Sequence, residues 1–379
     1  MNNPSKIERL YEPVIDQHES WIAVNGVQGC NKGCGYCFLE DRGLTRVRPV
    51  ELATPAKTLE LLLDSRYYRP TSVLALYTCT DALSTPRTRK HLTELLDLFV
   101  ERGLRNPVCL ITKCGFTPDV LECLTRTRAA GLPVIVYLSY SGLGPDVEQG
   151  INHDALRANF PALHAIGIPV IHYWRPFLPQ NSTPEAVHRV LGLATQYAQC
   201  SVAVGLKVKP GARDQMAPLW PALKDPGLDV ESASSVWPAT MRETVFGLAQ
   251  HYRDYPVFET NSCALSHVLK QPDTSNILGS SVCQSNLCPL SQRERCAIGR
   301  PGQVTRAGID AHLAQIGIPG TPYDWEPLTR TMTVKVPMTA GDCNSLAHTL
   351  SIRVRAERSS SDHYWPGKGS TTGLLIIDN

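Results

Sequence analysis

The chain has 379 residues, with 37 Lys and Arg against 35 Asp and Glu and a formal charge of +2. That length can bury a large core and suits one barrel-sized domain with an appendage better than two equal halves. The near-balance of charge excludes an acidic tail, a basic arm and a global affinity for nucleic acid, and leaves only a local basic groove open.

The first residues, Met1-Asn2-Asn3-Pro4-Ser5-Lys6, lack the charged-then-apolar order of a secretory signal. No apolar run approaches the length of a membrane span, so no membrane partner and a cytoplasmic enzyme are expected. Thirteen cysteines are many for such a chain. In a reducing compartment, clustered cysteines are metal ligands or catalysts before they are disulfides. Cys109 and Cys123 sit in apolar patterns and are read as packing residues.

Residues 1–19 read as a polar lead-in, and Trp21 to Val27 as a first strand. That strand delivers the chain into Gly29-Cys30-Asn31-Lys32-Gly33-Cys34-Gly35-Tyr36-Cys37-Phe38. The spacing lets one short loop wrap three thiolates around a single inorganic centre, with Gly29, Gly33 and Gly35 freeing the backbone to fold tightly. Soft thiolates select iron–sulfur clusters, zinc or copper(I), and no fourth ligand follows within the loop. The alternatives are half a zinc site completed from elsewhere, or cysteines that merely pack in the core.

A helix is expected from about Pro55 to Ser65, a strand over Ser72 to Tyr77, and a helix over Pro86 to Gly103, where Leu92, Leu95, Leu96 and Phe99 fall at helical spacing. Pro107 to Ile111 reads as strand, and Thr117 to Ala130 as a helix with Thr117 capping and Pro118 in its first position. Leu132 to Leu138 is strand, Asn152 to Ile166 is a helix bent or restarted at Pro161, and Ile168 to Tyr173 is strand. Thr183-Pro184-Glu185 opens a helix to about Ala198, and Ser201 to Lys207 is the sixth strand.

Strands alternating with helices across short Gly- or Pro-marked turns predict an α/β fold, a partial six-unit TIM-like barrel over residues 20–208. Chemistry in such barrels gathers at the C-terminal strand ends. Here those ends are polar or reactive: the cysteine loop, Thr78-Cys79-Thr80-Asp81, Thr112-Lys113-Cys114, Ser139-Tyr140-Ser141, Trp174-Arg175-Pro176 and Lys207-Val208-Lys209.

Residues 209–255 read as an irregular Pro- and Gly-rich excursion, a lid over the open barrel end, followed by a helix over Thr240 to Tyr252. Residues 256–300 open with a short strand, Pro256 to Glu259, and hold Cys263, Cys283, Cys288 and Cys296, the ligands of an auxiliary iron–sulfur cluster or of a structural zinc. Residues 301–379 form an extension whose Thr331 to Val336, Thr349 to Arg355 and Gly373 to Ile377 read as three strands of a small antiparallel element. Its Asp362 to Lys368 loop either closes the substrate pocket or faces solvent.

The three-cysteine loop, with Tyr36 before its last cysteine, resembles the signature of the radical S-adenosylmethionine (SAM) superfamily. The resemblance covers roughly residues 20 to 210. It implies a 4Fe–4S cluster held by Cys30, Cys34 and Cys37, SAM bound to the remaining iron, and the same partial barrel. Thr78-Cys79-Thr80-Asp81 followed by Thr112-Lys113 is similar to elements of the spore photoproduct lyase branch. By position, Thr78, Thr80 and Asp81 would then bind the methionine amine, Lys113 and Ser139 the carboxylate or ribose, Arg175 the carboxylate, and the Tyr36 carbonyl the adenine. Cys79 stands where that branch has a hydrogen-atom donor; a buried small hydrophobe at a strand end is the other reading.

These implications lead to a radical SAM enzyme acting on a small polar substrate, a sugar or nucleoside as in antibiotic biosynthesis. Redox-neutral epimerisation comes first, with Cys79 as donor and a second 4Fe–4S cluster re-reducing it. Sulfur insertion, nucleic-acid lesion cleavage and a non-catalytic metal-binding interaction module are the alternatives. Flavodoxin or ferredoxin is the expected electron donor.

Overall fold

The computed structural model describes residues 9–207, 216–225, 235–273, 287–298, 302–357, 359 and 374–377. In chain order it begins with β1 (Ile15–Gln17), β2 (Ile22–Val24), β3 (Val27–Gln28), β4 (Gly33–Cys34), β5 (Val50–Glu51) and helix α1 (Pro55–Leu63). It continues with β6 (Leu74–Leu76), α2 (Pro86–Glu101), β7 (Val108–Thr112), α3 (Pro118–Ala129), β8 (Val134–Leu138) and β9 (Glu148–Gln149). Then come α4 (His153–Ala165), β10 (Val170–Phe177), α5 (Pro184–Tyr197), β11 (Cys200–Lys207), β12 (Ser235–Val236) and β13 (Val257–Phe258).

The main sheet runs β1-β2-β6-β7-β8-β10-β11-β12, with β13 also on β11. Strands β2, β6, β7, β8, β10, β11 and β13 pair in parallel, in registers such as Leu74↔Val108 and Val108↔Val134. This is the curved α/β sheet of a partial barrel. Buried on both faces, its strands are near-continuous apolar runs, as parallel strands must be.

The strand's two-residue period divides those runs. Leu74, Leu76, Val108, Leu110, Val134 and Val136 share one core with Leu92, Leu95, Leu96 and Phe99 of α2 and with the buried faces of α3, α4 and α5. Burying each such side chain stabilises the fold by about 1.5–3 kcal/mol. Ala75, Cys109, Ile135, Tyr137, Ile171 and Tyr173 face the other way, where Phe258 and helix Asn261–Leu269, through Ala264 and Leu265, cover part of the inner wall.

Helix starts follow local chemistry. Thr54, Thr85, Asn152 and Thr183 each accept a backbone N–H at the first turn. Thr117 occupies the cap position of α3 without making that bond, contrary to expectation. Helix α4 runs unbroken through Pro161, although an interior proline costs about 3 kcal/mol. Its buried face of Leu156, Asn159, Phe160 and Leu163 holds it in place.

Within the lead-in, Ile15–Gln17 forms β1, antiparallel to β2 in the register Ile15↔Val24. One further expectation is corrected. The tail sheet has four strands, β14 (Tyr323–Glu326), β15 (Thr331–Val334), β16 (Arg353–Glu357) and β17 (Leu374–Ile377), and it is mixed. Strands β15 and β16 are parallel because helix Ala340–Leu350 crosses between them, occupying residue 349, where a strand was expected to start.

The tail sits against the start of the sheet. Asp342 accepts from the Tyr67 hydroxyl at 2.9 Å and pairs with Arg66 at 2.8 Å, and Asn344 donates to the Gln17 carbonyl at 3.2 Å. The Asp362 to Lys368 loop, Cys283, Lys209 and most of the proposed lid lie outside the described residues.

Candidate functional site

The cysteine loop is stapled to the scaffold on both sides. Its entry is fixed by Val27↔Glu51 pairing between β3 and β5, then by the Gly29 N–H on the Cys79 carbonyl at 3.0 Å. Gly29 has φ 90°, and a Cβ there would come 3.1 Å from Val47, so both the left-handed turn and the close approach require glycine. Cys30 donates to Leu44 at 2.7 Å, and Cys37 donates back to Cys34 at 3.1 Å. Between them β4 forms a two-residue antiparallel ladder with β9, Gly33↔Gln149 and Cys34↔Glu148. Gly33 serves close approach rather than unusual φ, since a Cβ there would lie 3.2 Å from the Gln149 side chain.

At the next strand end the chain turns through Tyr77, which is buried and holds φ 59°. Its hydroxyl meets His91 Nδ1 at 2.7 Å, while His91 Nε2 donates to the Ala53 carbonyl at 2.8 Å. The carbonyl can only accept, so Nε2 carries the proton and the tyrosine donates to Nδ1. That anchor lays Thr78 to Asp81 over the strand ends. Thr78 donates to Asn25 Oδ1 at 3.1 Å, and Thr80 donates to the Gly29 carbonyl. Asp81 accepts from Thr112 Oγ1 at 2.8 Å, Leu83 N at 3.0 Å and Lys113 N at 2.7 Å, so its carboxylate latches two strand ends together.

Lys113 donates to the Ser139 carbonyl at 2.7 Å and pairs with the buried Glu148 at 2.7 Å. The Tyr36 hydroxyl donates to the same carboxylate. Arg175, on β10, lies with its guanidinium 4.1 Å from the Tyr173 ring centroid.

A cavity of about 300 Å³ gathers these groups. Cys30, Cys34 and Cys37 line it with Tyr36, Thr78, Cys79, Thr80 and Asp81, and so do Lys113, Ser139 and Arg175. Sequence reasoning did not single out Trp21, Tyr173 or Asn261, which also line it. Nor did it single out Glu148, which holds two of the lining side chains from behind. Glu148 carries no sequence signal, being one acid in an irregular Gly- and Pro-rich loop.

Burial pushes the Cys30 thiol up to about 12, with Asp81 adding to the effect. It pushes Cys37 up to about 12, and Cys34 also upward against the pull of Lys113. Three half-buried thiols lining one cavity are poor thiolates on their own and good ones beside bound iron, whose charge reverses the desolvation penalty. The donor set therefore fits a thiolate-ligated cluster. Cys79 is buried against Leu39 and Leu44, beside Cys30 and Cys37, and desolvation raises its thiol to about 11. Among the described residues no three His, Cys, Asp or Glu side chains converge on a single metal ion.

Of the later cysteines, Cys263 lies on helix Asn261–Leu269 with Sγ 3.1 Å from Asp273 Oδ2. The backbone N–H of Asp273 donates to Cys296 Sγ at 3.3 Å, as does Gln292 Nε2. Cys288 and Cys263 both pack on the inner wall of the sheet. Asp273 thus bridges Cys263 and Cys296, and the segment adjoins the cavity through Asn261, whose Nδ2 donates to Tyr173 at 3.2 Å.

No protein-family model matches the chain, and no curated protein does. Among solved structures, spore photoproduct lyase complexed with dinucleoside spore photoproduct is similar over 63% of this chain and 76% of its own, with 10% identity and a TM-score of 0.48. SuiB of Streptococcus suis bound to SAM is similar over 67% of this chain and 54% of its own, with 11% identity and a TM-score of 0.41. The radical SAM methyltransferase TsrM of Kitasatospora setae, with cobalamin and a 4Fe–4S cluster bound, is similar over 57% of this chain and 42% of its own, with 16% identity and a TM-score of 0.39. Likeness at this level assigns no role to any residue of this chain. The site rests on its own geometry.

Proposed function

We propose that this chain is a radical SAM enzyme in which Cys30, Cys34 and Cys37 hold a 4Fe–4S cluster. The observation that carries this reading is the convergence of all three thiols with Thr78, Asp81, Lys113, Ser139 and Arg175 on one cavity. When bound, the cluster and SAM supply a 5′-deoxyadenosyl radical that removes a hydrogen atom from an unactivated C–H bond.

The chain's own part is to bind, orient and exclude water. Arg175 presents a cation to a carboxylate, and Thr78, Thr80 and Asp81 present oxygens to an ammonium. The Tyr36 carbonyl is the adenine partner in this reading, and Ser139 reaches carboxylate or ribose. A second 4Fe–4S cluster is proposed for Cys263, Cys283, Cys288 and Cys296.

The reaction proposed is epimerisation of a small polar substrate, a sugar or nucleoside, in a cytoplasmic setting. Cys79 is the hydrogen donor. A thiol at its ordinary value is already S–H at neutral pH, the form that can give up a hydrogen atom, and burial moves Cys79 further the same way. The S–H bond breaks, a C–H bond forms on the substrate radical, and the sulfur is left as a thiyl. One electron from a flavodoxin- or ferredoxin-type donor and one proton from solvent restore the thiol.

The test is turnover in D₂O. The thiol exchanges with solvent, so wild type should place one deuterium on an inverted carbon. Cys79→Ala should still form deoxyadenosine while losing the inverted product. Undeuterated product of unchanged configuration ends the donor role, and sulfur-containing product with turnover stopping near one per chain replaces it with sulfur insertion.

A further inference from the structure

Glu148 ties the cysteine loop to the strand-end site, and no motif pointed to it. It is fully buried, and it lies directly across the β4–β9 ladder from Cys34. Its Oε1 accepts from Lys113 Nζ at 2.7 Å, from Ser141 Oγ at 2.8 Å and from the Tyr36 hydroxyl. The loop around it is bound to the cysteine loop elsewhere too, by Gly35 N on the Val147 carbonyl at 2.9 Å and Lys32 Nζ on the Gly150 carbonyl at 2.8 Å.

Lys113 is consequently committed. Two of its three donors are used on a full negative charge and a carbonyl, and its ammonium lies 5.6 Å from the Tyr36 ring centroid. Turning it toward a second carboxylate would leave the buried Glu148 charge with two hydroxyl donors and the His153 ring, whose Nδ1 is 3.7 Å from Oε2, in place of a full ammonium, which is unfavourable. Arg175 faces the same cavity, rests on Tyr173, and makes no ion pair with a carboxylate among the described residues. A guanidinium is also the better partner for a carboxylate, since its fork matches both oxygens.

Resting on the radical SAM reading above, we infer that Glu148 is a positioning residue that neutralises Lys113 and withholds it from the cofactor, leaving Arg175 to meet the carboxylate of SAM. On this inference the two cations, of which the resemblance gave Lys113 the carboxylate or ribose and Arg175 the carboxylate, have separate tasks. Lys113 holds the loop geometry, and Arg175 binds.

The experiment measures SAM affinity by equilibrium dialysis on anaerobic, iron-loaded protein, with iron content determined for each variant. Arg175→Met should weaken binding by about tenfold or more, the loss of one charge-assisted contact. The double variant Lys113→Met/Glu148→Gln, which removes the pair together, should keep affinity within about threefold of wild type and keep its iron. Glu148→Gln frees the lysine, so Arg175→Met made in that background should cost clearly less than in wild type. A purely structural role for Glu148 would not produce that coupling. A tenfold loss of SAM affinity in the iron-loaded double variant overturns the inference. Urea unfolding tests the pairing separately. Lys113→Met alone should unfold at lower urea than the double variant, and the reverse order overturns the pairing. Wild-type protein that loads iron yet binds no SAM would instead overturn the radical SAM reading.

Discussion

Replacing Asp81 separates a latch from a ligand. The carboxylate is 7% exposed and accepts from two backbone N–H groups and the buried Thr112 hydroxyl. In Asp81→Ala all three donors lose their acceptor, and an unmade buried bond costs about 1–3 kcal/mol. Some water entry from the cavity side limits the loss, so about 4 kcal/mol is expected for Ala. Asp81→Asn keeps one oxygen and turns an amide toward one of the donors, for about 2 kcal/mol. Anaerobic urea unfolding followed by far-UV circular dichroism reads both. An Ala variant within about 1 kcal/mol of wild type, or an Asn variant as unstable as Ala, would refute the latch. If Asp81 also accepts from the cofactor's ammonium, Asp81→Asn should weaken SAM binding out of proportion to its stability loss.

Anaerobically purified protein should carry about eight irons per chain, and changing Cys30, Cys34 and Cys37 together to Ala should remove about four of them and all SAM cleavage. Zinc in the later cysteines would instead show as about four irons and one zinc. Burial lowers the imidazole of His172 from 6.5 to about 4, between Ser201 Oγ and the Tyr140 carbonyl. The unfolded chain then takes up this proton before the folded one. Stability from this group is full above about pH 6.5 and is lost as pH falls toward 4, by about 2 kcal/mol between pH 7 and 5. His172→Gln should flatten that slope in paired unfolding curves at the two pH values. Nucleic acid should bind weakly and lose most of its affinity between low and physiological salt, since a charge of +2 supplies few phosphate contacts. Tight, salt-resistant binding of damaged duplex would instead favour the lyase reading.

Much of the barrel was legible because parallel strands are apolar throughout and helices carry their own punctuation. Leu92, Leu95, Leu96 and Phe99 gave the period of α2, and Thr183-Pro184 its counterpart for α5. What stayed hidden depends on distant partners. Strands β4 and β9 are two residues each, and nothing local in Gly33–Cys34 names Glu148–Gln149 as its mate. Helix Ala340–Leu350 is built from Gly, Asp, Asn, Ser and Thr among its residues, poor helix formers that would not persist alone. It forms because residues 340–347 are all buried, so packing overrides propensity. The cavity's residue types were readable at the strand ends, whereas their mutual bonds were not. Lys113 and Arg175 look alike in sequence, and only the fold gives one of them a buried carboxylate.

The main sheet ends at β1, whose outer side pairs with no further strand among the described residues. That is a sticky border, since unsatisfied backbone groups on an edge recruit strands from other molecules. Helix Ala340–Leu350 lies over it, with Asn344 on the Gln17 carbonyl and Gly341 close enough to Asp16 that a Cβ would come within 3.2 Å. The tail therefore covers this border with packed side chains instead of a further strand. Trimming it to isolate the cysteine-bearing half would yield a smaller protein with an open seam, prone to self-association before any chemistry could be tested.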